Sequence, residues 1–225
     1  MKILVTGGAR SGKSSFAERY VQKLGPTGLY IATAQPFDEE MKERLNHHRA
    51  RRENSGYNWE TIEEPLHLAE LLRSLSRPAE SASAAGEGRP EIAATPATGS
   101  QMNSHSHHAR PEEQKLSPGE RVVLVDCLTI WLSNWVLHYE SDPDLERLAE
   151  RKADELAEAV QSFSGTLVLV TNEVGSGIVP EYRLGRVFRD AAGRLNQRIA
   201  QVCDQVILVA CGIPVDLKKV AFRLD

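Results

Sequence analysis

Apolar and polar positions along this chain change period several times, and the changes predict alternating strands and helices. Five short runs, at residues 3–6, 29–34, 122–127, 166–171 and 205–210, are mostly aliphatic or β-branched without clean alternation. That pattern belongs to strands covered on both faces, as in a parallel sheet. Between them apolar residues recur at spacings of three and four, which predicts helices over residues 13–24, 37–52, 145–163 and 187–202, and another ending near Leu75. Strands alternating with helices define an α/β fold, expected here as a single domain over residues 1–225 with a mainly parallel central sheet flanked by helices. Such sheets gather their active sites at the carboxyl ends of the strands, so the residue that follows each run is a candidate.

Residues 77–120 break the scheme. Their large aliphatic residues are Ile92, Met102 and Leu116, set among Ala, Ser, Gly, Pro and Glu. So little apolar surface does not offset the entropy of ordering, and a flexible, disordered insertion within the domain is expected. Its Ser104-His105-Ser106-His107-His108 tract has the composition of a transition-metal tract, although such tracts in polar segments are mostly incidental.

Composition narrows the function classes. A formal net charge of -4 gives no basic field over the whole protein, so nucleic acid is not an expected partner. Cys127, Cys203 and Cys211 form no C-x-x-C pair and no disulfide framework, and free thiols in a reducing compartment are expected. The first apolar run is too short for a signal peptide, and no run approaches the roughly 18 apolar residues of a membrane span. A cytoplasmic location without a membrane span is the expectation.

The strongest chemical signal lies at the exit of the first run. Gly7-Gly8-Ala9-Arg10-Ser11-Gly12-Lys13-Ser14 matches G-x-x-x-x-G-K-[ST] in full, between a strand and a helix as the motif requires. Glycines let the backbone wrap phosphate with its N–H groups inward, and the following helix points its positive end at the same anion. Lys13 is the candidate for the β/γ-phosphates, and the Ser14 hydroxyl for Mg2+. A P-loop of this kind takes a second metal-side carboxylate from a neighbouring strand, and Val122-Val123-Leu124-Val125-Asp126 supplies one. Asp126 alone can also be read as a turn cap. Glu173 stands at another strand exit, where it either orients an acceptor hydroxyl or a water, or caps the turn after it.

A second constellation lies on the helix predicted over 37–52. Met41, Leu45, His48 and Arg52 share one face, and Arg44, Arg51 and Arg52 flank His48 at helical spacing. Neighbouring cations favour a neutral imidazole, which suits nucleophilic attack on a phosphorus whose oxygens guanidiniums hold. His48 can equally finish the apolar stripe as a core residue, and spacing hardly separates it from His47. Near the end of the chain, Arg183, Arg186, Arg189, Arg194 and Arg198 form either a solvated helix face or contacts to phosphate or a second subunit.

The chain resembles the bifunctional adenosylcobinamide kinase/adenosylcobinamide-phosphate guanylyltransferase family over nearly its whole length outside residues 77–120. The matching blocks are the P-loop, Tyr30-Ile31-Ala32-Thr33-Ala34, His48-Arg49-Ala50-Arg51-Arg52, Trp59-Glu60-Thr61-Ile62-Glu63-Glu64-Pro65 and Asp126-Cys127-Leu128-Thr129. They continue with Thr171-Asn172-Glu173-Val174-Gly175-Ser176-Gly177-Ile178-Val179-Pro180 and with residues 188–197. The resemblance implies two reactions. ATP or GTP phosphorylates the corrinoid adenosylcobinamide; GTP then gives GMP to that phosphate through a guanylyl-histidine, which matches His48, or less well His47. It further implies nucleotide contacts from Gly7, Gly8, Ala9, Arg10, Ser11, Gly12, Lys13 and Ser14, from Ala32, Thr33 and Ala34, from Arg49, Ala50, Arg51 and Arg52, from Glu63 or Glu64, and from Asp126. A homo-oligomer is implied as well. The alternatives are a small-molecule P-loop kinase without a covalent intermediate and, from another class, a non-catalytic nucleotide switch.

Overall fold

In the computed structural model, residues 1–35, 49–50, 52–76 and 121–222 are described. Seven strands form one sheet: β1 (Lys2–Thr6), β2 (Thr27–Ala32), β3 (Asn58–Glu63), β4 (Arg121–Asp126), β5 (Leu167–Val170), β6 (Gln205–Ala210) and β7 (Ile213–Asp216). Their order is β3-β2-β4-β5-β1-β6-β7, parallel throughout except for β7, which runs antiparallel to β6. The described helices are α1 (Lys13–Leu24), α2 (Leu68–Ser76), α3 (Leu128–His138), α4 (Leu145–Ser162), α5 (Arg183–Val202) and the short α6 (Leu217–Val220).

The unalternating apolar runs have the expected cause. Leu4, Leu29, Ile31, Val123, Val125, Leu167 and Leu169 enter a core with α2, α3, α4 and α5. Their neighbours Ile3, Val5, Tyr30, Val122, Leu124, Val168 and Val170 enter a second core against Ala17 and Val21 of α1. Every interior strand position is thus covered from one side or the other, so period 2 carries no polar phase.

Four elements escaped the pattern, the one-turn α6 among them. On β3, an edge strand, only Trp59 and Ile62 turn inward and the other positions are exposed. On β7 the sequence has a proline, Pro214, which an edge strand tolerates because one side needs no ladder hydrogen bond. On α3 the apolar residues run all round, with Leu128, Trp131, Leu132, Trp135 and Val136 buried, so no polar face marks the helix. Of the helix expected over 37–52, residues 49, 50 and 52 are helical, and the helix runs one residue further, to Glu53. Residues 36–48, and with them His47 and His48, lie outside the described residues, as do Arg51 and the insertion expected over 77–120.

The arginines of α5 are engaged within the chain. Arg183, Arg194 and Arg198 pair with Glu146, Glu150 and Asp154 of α4 at 3.8, 3.1 and 3.0 Å, a ladder of acids spaced one turn apart. Arg189 pairs with Asp190, and Arg186 donates to the carbonyls of Pro180 and Glu181. Half-exposed pairs of this kind contribute about 1 kcal/mol or less each, so the apolar seam beneath them holds the two helices together. Leu156→Ala, at a fully buried α4 position, is accordingly expected to cost about 2–5 kcal/mol in urea denaturation. Arg194→Ala should cost less than about 1 kcal/mol, and the reverse ranking would refute this account of the α4–α5 contact.

Candidate active site

Five parallel strands deliver the expected chemistry to one edge of the sheet. Register places Glu63 beside Ala32, Ala32 beside Asp126, Asp126 beside Val170, and Val170 beside Val5. Asp126 therefore leaves the sheet two strands from the P-loop, and Glu63 four strands away, or roughly 19 Å at about 4.8 Å per strand.

The P-loop is shaped by close approach. A Cβ on Gly7 would lie 2.4 Å from the Val209 carbonyl oxygen of β6 and 2.7 Å from Ser11 Oγ, so no side chain fits there. Gly12 has φ 92°, a left-handed conformation that glycine adopts at little cost, and it provides no side-chain cap to α1. The amino end of that helix thus opens into the loop. The loop is tied down on both flanks: Glu173 N donates to Gly7 O at 3.2 Å, and Gly212 N, in the β6–β7 turn, donates to Ser11 O at 2.9 Å. Lys13 is buried, and its Nζ donates to Gly8 O at 3.1 Å, which holds the ammonium over the loop. Arg10 has φ 56° and its side chain is exposed at the rim.

At the ends of β2 and β4, Thr33 is fully buried and its hydroxyl both donates to Cys127 O at 2.8 Å and accepts from Cys127 N at 2.9 Å. Thr33 N donates to Asp126 O, Thr33 O accepts from Asn134 Nδ2 at 2.9 Å, and Ala32 O accepts from Glu64 N at 2.8 Å. These groups are committed to the fold, and Ala34 is the member of the 32–34 block left at the edge. The Asp126 carboxylate and the Ser14 hydroxyl make no hydrogen bond among the described residues, and both are partly exposed. Two hard oxygen donors left open beside a phosphate cradle fit Mg2+, which keeps waters and phosphate oxygens for its remaining positions. Asn134 was not foreseen; its signal is an amide inside a helix of otherwise apolar residues.

The candidate contacts near β3 divide into two groups. Glu64 Oε1 accepts from Leu66 N and His67 N at 3.0 and 2.7 Å, so this carboxylate organises the turn into α2. Glu63 is exposed and pairs with Arg49 at 3.5 Å, which puts both at the open edge. Arg52 is buried instead, with its guanidinium 3.6 Å above the Tyr30 ring and its Nη1 unbonded among the described residues. Desolvation makes that cation–π contact strong. Burial pushes the Tyr30 phenol well above its ordinary pKa, the Asp126 carboxylate adds to the rise, and Arg52 opposes it.

At the end of β5, Glu173 Oε1 accepts from Thr6 Oγ1 at 2.5 Å and from Asn196 Nδ2 at 3.3 Å. Asn196, from α5, also donates to Asn172 O and accepts from Thr171 Oγ1, and Thr171 meets Thr129 at 3.2 Å. Thr6, Asn196 and Thr129 were not foreseen as parts of the site, because long-range contacts bring them there.

The family model described as cobinamide kinase/cobinamide phosphate guanyltransferase matches residues 3–83 and 100–217. The unmatched interior is therefore residues 84–99, narrower than the 77–120 segment set apart by composition. The chain is 38% identical over 226 residues to the bifunctional adenosylcobalamin biosynthesis protein CobU of Escherichia coli, covering 97% of this chain and 100% of that protein. It is 39% identical over 219 residues to the corresponding protein CobP of Pseudomonas aeruginosa, covering 97% and 98%. With CobU of Salmonella typhimurium the identity is 37% over 226 residues.

Thiol chemistry checks the burial at both ends of the sheet, with Cys127 at the carboxyl edge and Cys203 at the amino edge. Burial pushes Cys127 up to about 11 and Cys203 up to about 12, whereas Cys211 is exposed in the β6–β7 turn. Because the thiolate is the reactive form, a disulfide reagent at pH 8 should titrate one fast thiol per native chain and three after denaturation. Two fast thiols, or a fast thiol surviving in Cys211→Ser, would contradict the packing around Cys127 or Cys203.

Proposed function

The chain belongs to the cobinamide kinase/cobinamide phosphate guanyltransferase family, and from that membership we propose how its residues divide two reactions between them. The protein is an adenosylcobinamide kinase and an adenosylcobinamide-phosphate guanylyltransferase. In the first reaction, the hydroxyl of adenosylcobinamide attacks the γ-phosphorus of ATP or GTP and a nucleoside diphosphate leaves. In the second, GTP gives GMP to the new corrinoid phosphate; adenosylcobinamide-GDP and pyrophosphate are the products.

The observation that carries this assignment is the shared edge, where the P-loop, Asp126 and the Arg49–Glu63 pair open to the same side of one sheet. Phosphoryl transfer leaves little covalent work to the protein, so positioned charge does most of the catalysis. Backbone N–H groups of Gly7–Ser14 and the α1 amino end bind the phosphate chain, and Lys13 neutralises charge that grows on its oxygens. Ser14 and Asp126 would hold Mg2+, which would offset the negative charge on the phosphate oxygens. Ala34, Arg49 and Glu63 meet the nucleotide farther along the edge; Ala50 and Arg51 belong to the same block, and Arg52 supports it from beneath through Tyr30.

GMP transfer runs through His48. The lone pair of its neutral imidazole forms a P–N bond to the α-phosphorus, and the bond to pyrophosphate breaks. A corrinoid phosphate oxygen then attacks that phosphorus and releases the imidazole. Free Cys127, Cys203 and Cys211 support work in a reducing cytoplasm. No described helix is long and apolar enough to cross a membrane. Assembly into a homo-oligomer is supported by exposed Ile178, Val179 and Tyr182, and by Ile213 and Val220 at the β7 end.

Incubation with magnesium and GTP labelled in the α-phosphate, without corrinoid, should leave label on denatured protein that is lost in acid and kept in base. His48→Ala should abolish it. Label lost in His47→Ala but kept in His48→Ala would move the nucleophile by one residue. No label, with corrinoid phosphorylation intact, would reduce the protein to a kinase.

A further inference from the structure

We propose that Glu173 is the general base of the phosphoryl-transfer reaction, with Oε2 taking the proton of the acceptor hydroxyl as that oxygen attacks the γ-phosphorus. This assignment rests on the kinase activity proposed above. β5 lies between β1, which carries the phosphate cradle, and β4, which ends at Asp126. The first residues to leave β5 at this edge therefore stand between the cradle and the metal-side carboxylate. A γ-phosphate reached together by Lys13, Ser14 and Asp126 lies in that gap, and its acceptor must approach from the open side.

Glu173 is fixed there on three sides. Its N–H donates to Gly7 O, its Oε1 accepts from Thr6 Oγ1, and Asn196 Nδ2 reaches the same oxygen. Asn196 is itself oriented by Thr171 Oγ1 and Asn172 O. One carboxylate oxygen is thus immobilised by donors from β1 and α5, while Oε2 has no hydrogen bond among the described residues and the side chain is exposed. Turn capping does not account for this arrangement, since the Val174–Ser176 turn receives no hydrogen bond from the Glu173 side chain. Among the described residues Asp126 is the other carboxylate beside the cradle, and it is assigned above to the metal side rather than to proton transfer.

Atoms balance directly. The acceptor oxygen forms a bond to the γ-phosphorus, the bond from that phosphorus to the bridging oxygen breaks, and the nucleoside diphosphate leaves with the electron pair. The proton passes to Oε2 and then to solvent. Imidazole attack on the α-phosphorus releases no proton from a hydroxyl, so it needs no such base.

Glu173→Gln separates the two reactions, because a glutamine oxygen still accepts from Thr6 and Asn196 while losing the basic site. With adenosylcobinamide and ATP, kcat should fall roughly 10²- to 10⁴-fold, with the nucleotide KM within about threefold, since the cradle is intact. Guanylylation from α-labelled GTP, and GMP transfer to adenosylcobinamide phosphate, should stay within about threefold of wild type, which also shows that the variant folds. Unchanged kinase turnover would overturn the assignment. Parallel loss of both reactions would overturn it too, making Glu173 a support of the cradle. Wild-type protein without kinase turnover would instead contradict the kinase activity itself, so the two failures are distinguishable.

Discussion

The nucleotide end of this molecule depends on how closely β6 approaches the first P-loop glycine. With the Val209 carbonyl 2.4 Å from where a Gly7 Cβ would sit, strand and loop pack backbone to backbone. That approach brings the β6–β7 turn within reach of Ser11, which Gly212 N then holds at 2.9 Å. From the other side, Glu173 N holds Gly7 O. The cradle's shape is therefore set by its neighbours in the sheet before any phosphate arrives, and the ordering entropy is met during folding rather than during binding.

Two buried polar clamps extend the same logic along the edge. Thr33 with Cys127 and Asn134 joins the ends of β2 and β4, and Thr171 with Thr129 and Asn196 joins β5 to α3 and α5. Each hydrogen bond contributes only about 1 kcal/mol net, but a buried partner left unpaired costs about 1–3 kcal/mol. What the clamps supply is definition: they set where Asp126 and Glu173 leave the sheet. Hydrophobic burial on both faces supplies the stability, through the Leu and Val residues that alternate between the two cores.

The parts legible in the sequence were those whose physics is local. The cradle, α1 and β4 with its terminal Asp126 each sit in one contiguous stretch, so spacing alone located them. The edge strand β3 hid because two inward side chains make no period, and α3 hid because burial all round erases one. That Glu64 closes the turn into α2 while Glu63 stays exposed needed the fold, and the partners of the α5 arginines needed the acids of α4. His48 came from resemblance more than from spacing; it lies outside the described residues, and its assignment rests on the block it shares with the family. The bifunctional activity itself is supported by family membership across residues 3–83 and 100–217.

A single phosphate cradle serving γ-transfer in one reaction and α-transfer in the other is the claim on which the rest turns. Lys13 lies at the centre of that cradle and remote in register from Glu63. The most direct measurement is therefore Lys13→Ala assayed for both reactions in parallel, with thermal unfolding as the control for folding. A shared cradle predicts that corrinoid phosphorylation and guanylylation of the protein fall together, each by roughly 10²-fold or more, as losing about 3 kcal/mol of transition-state stabilisation requires. Guanylylation at the wild-type rate in a folded variant that has lost kinase activity would show that GTP is held elsewhere, and would contradict it.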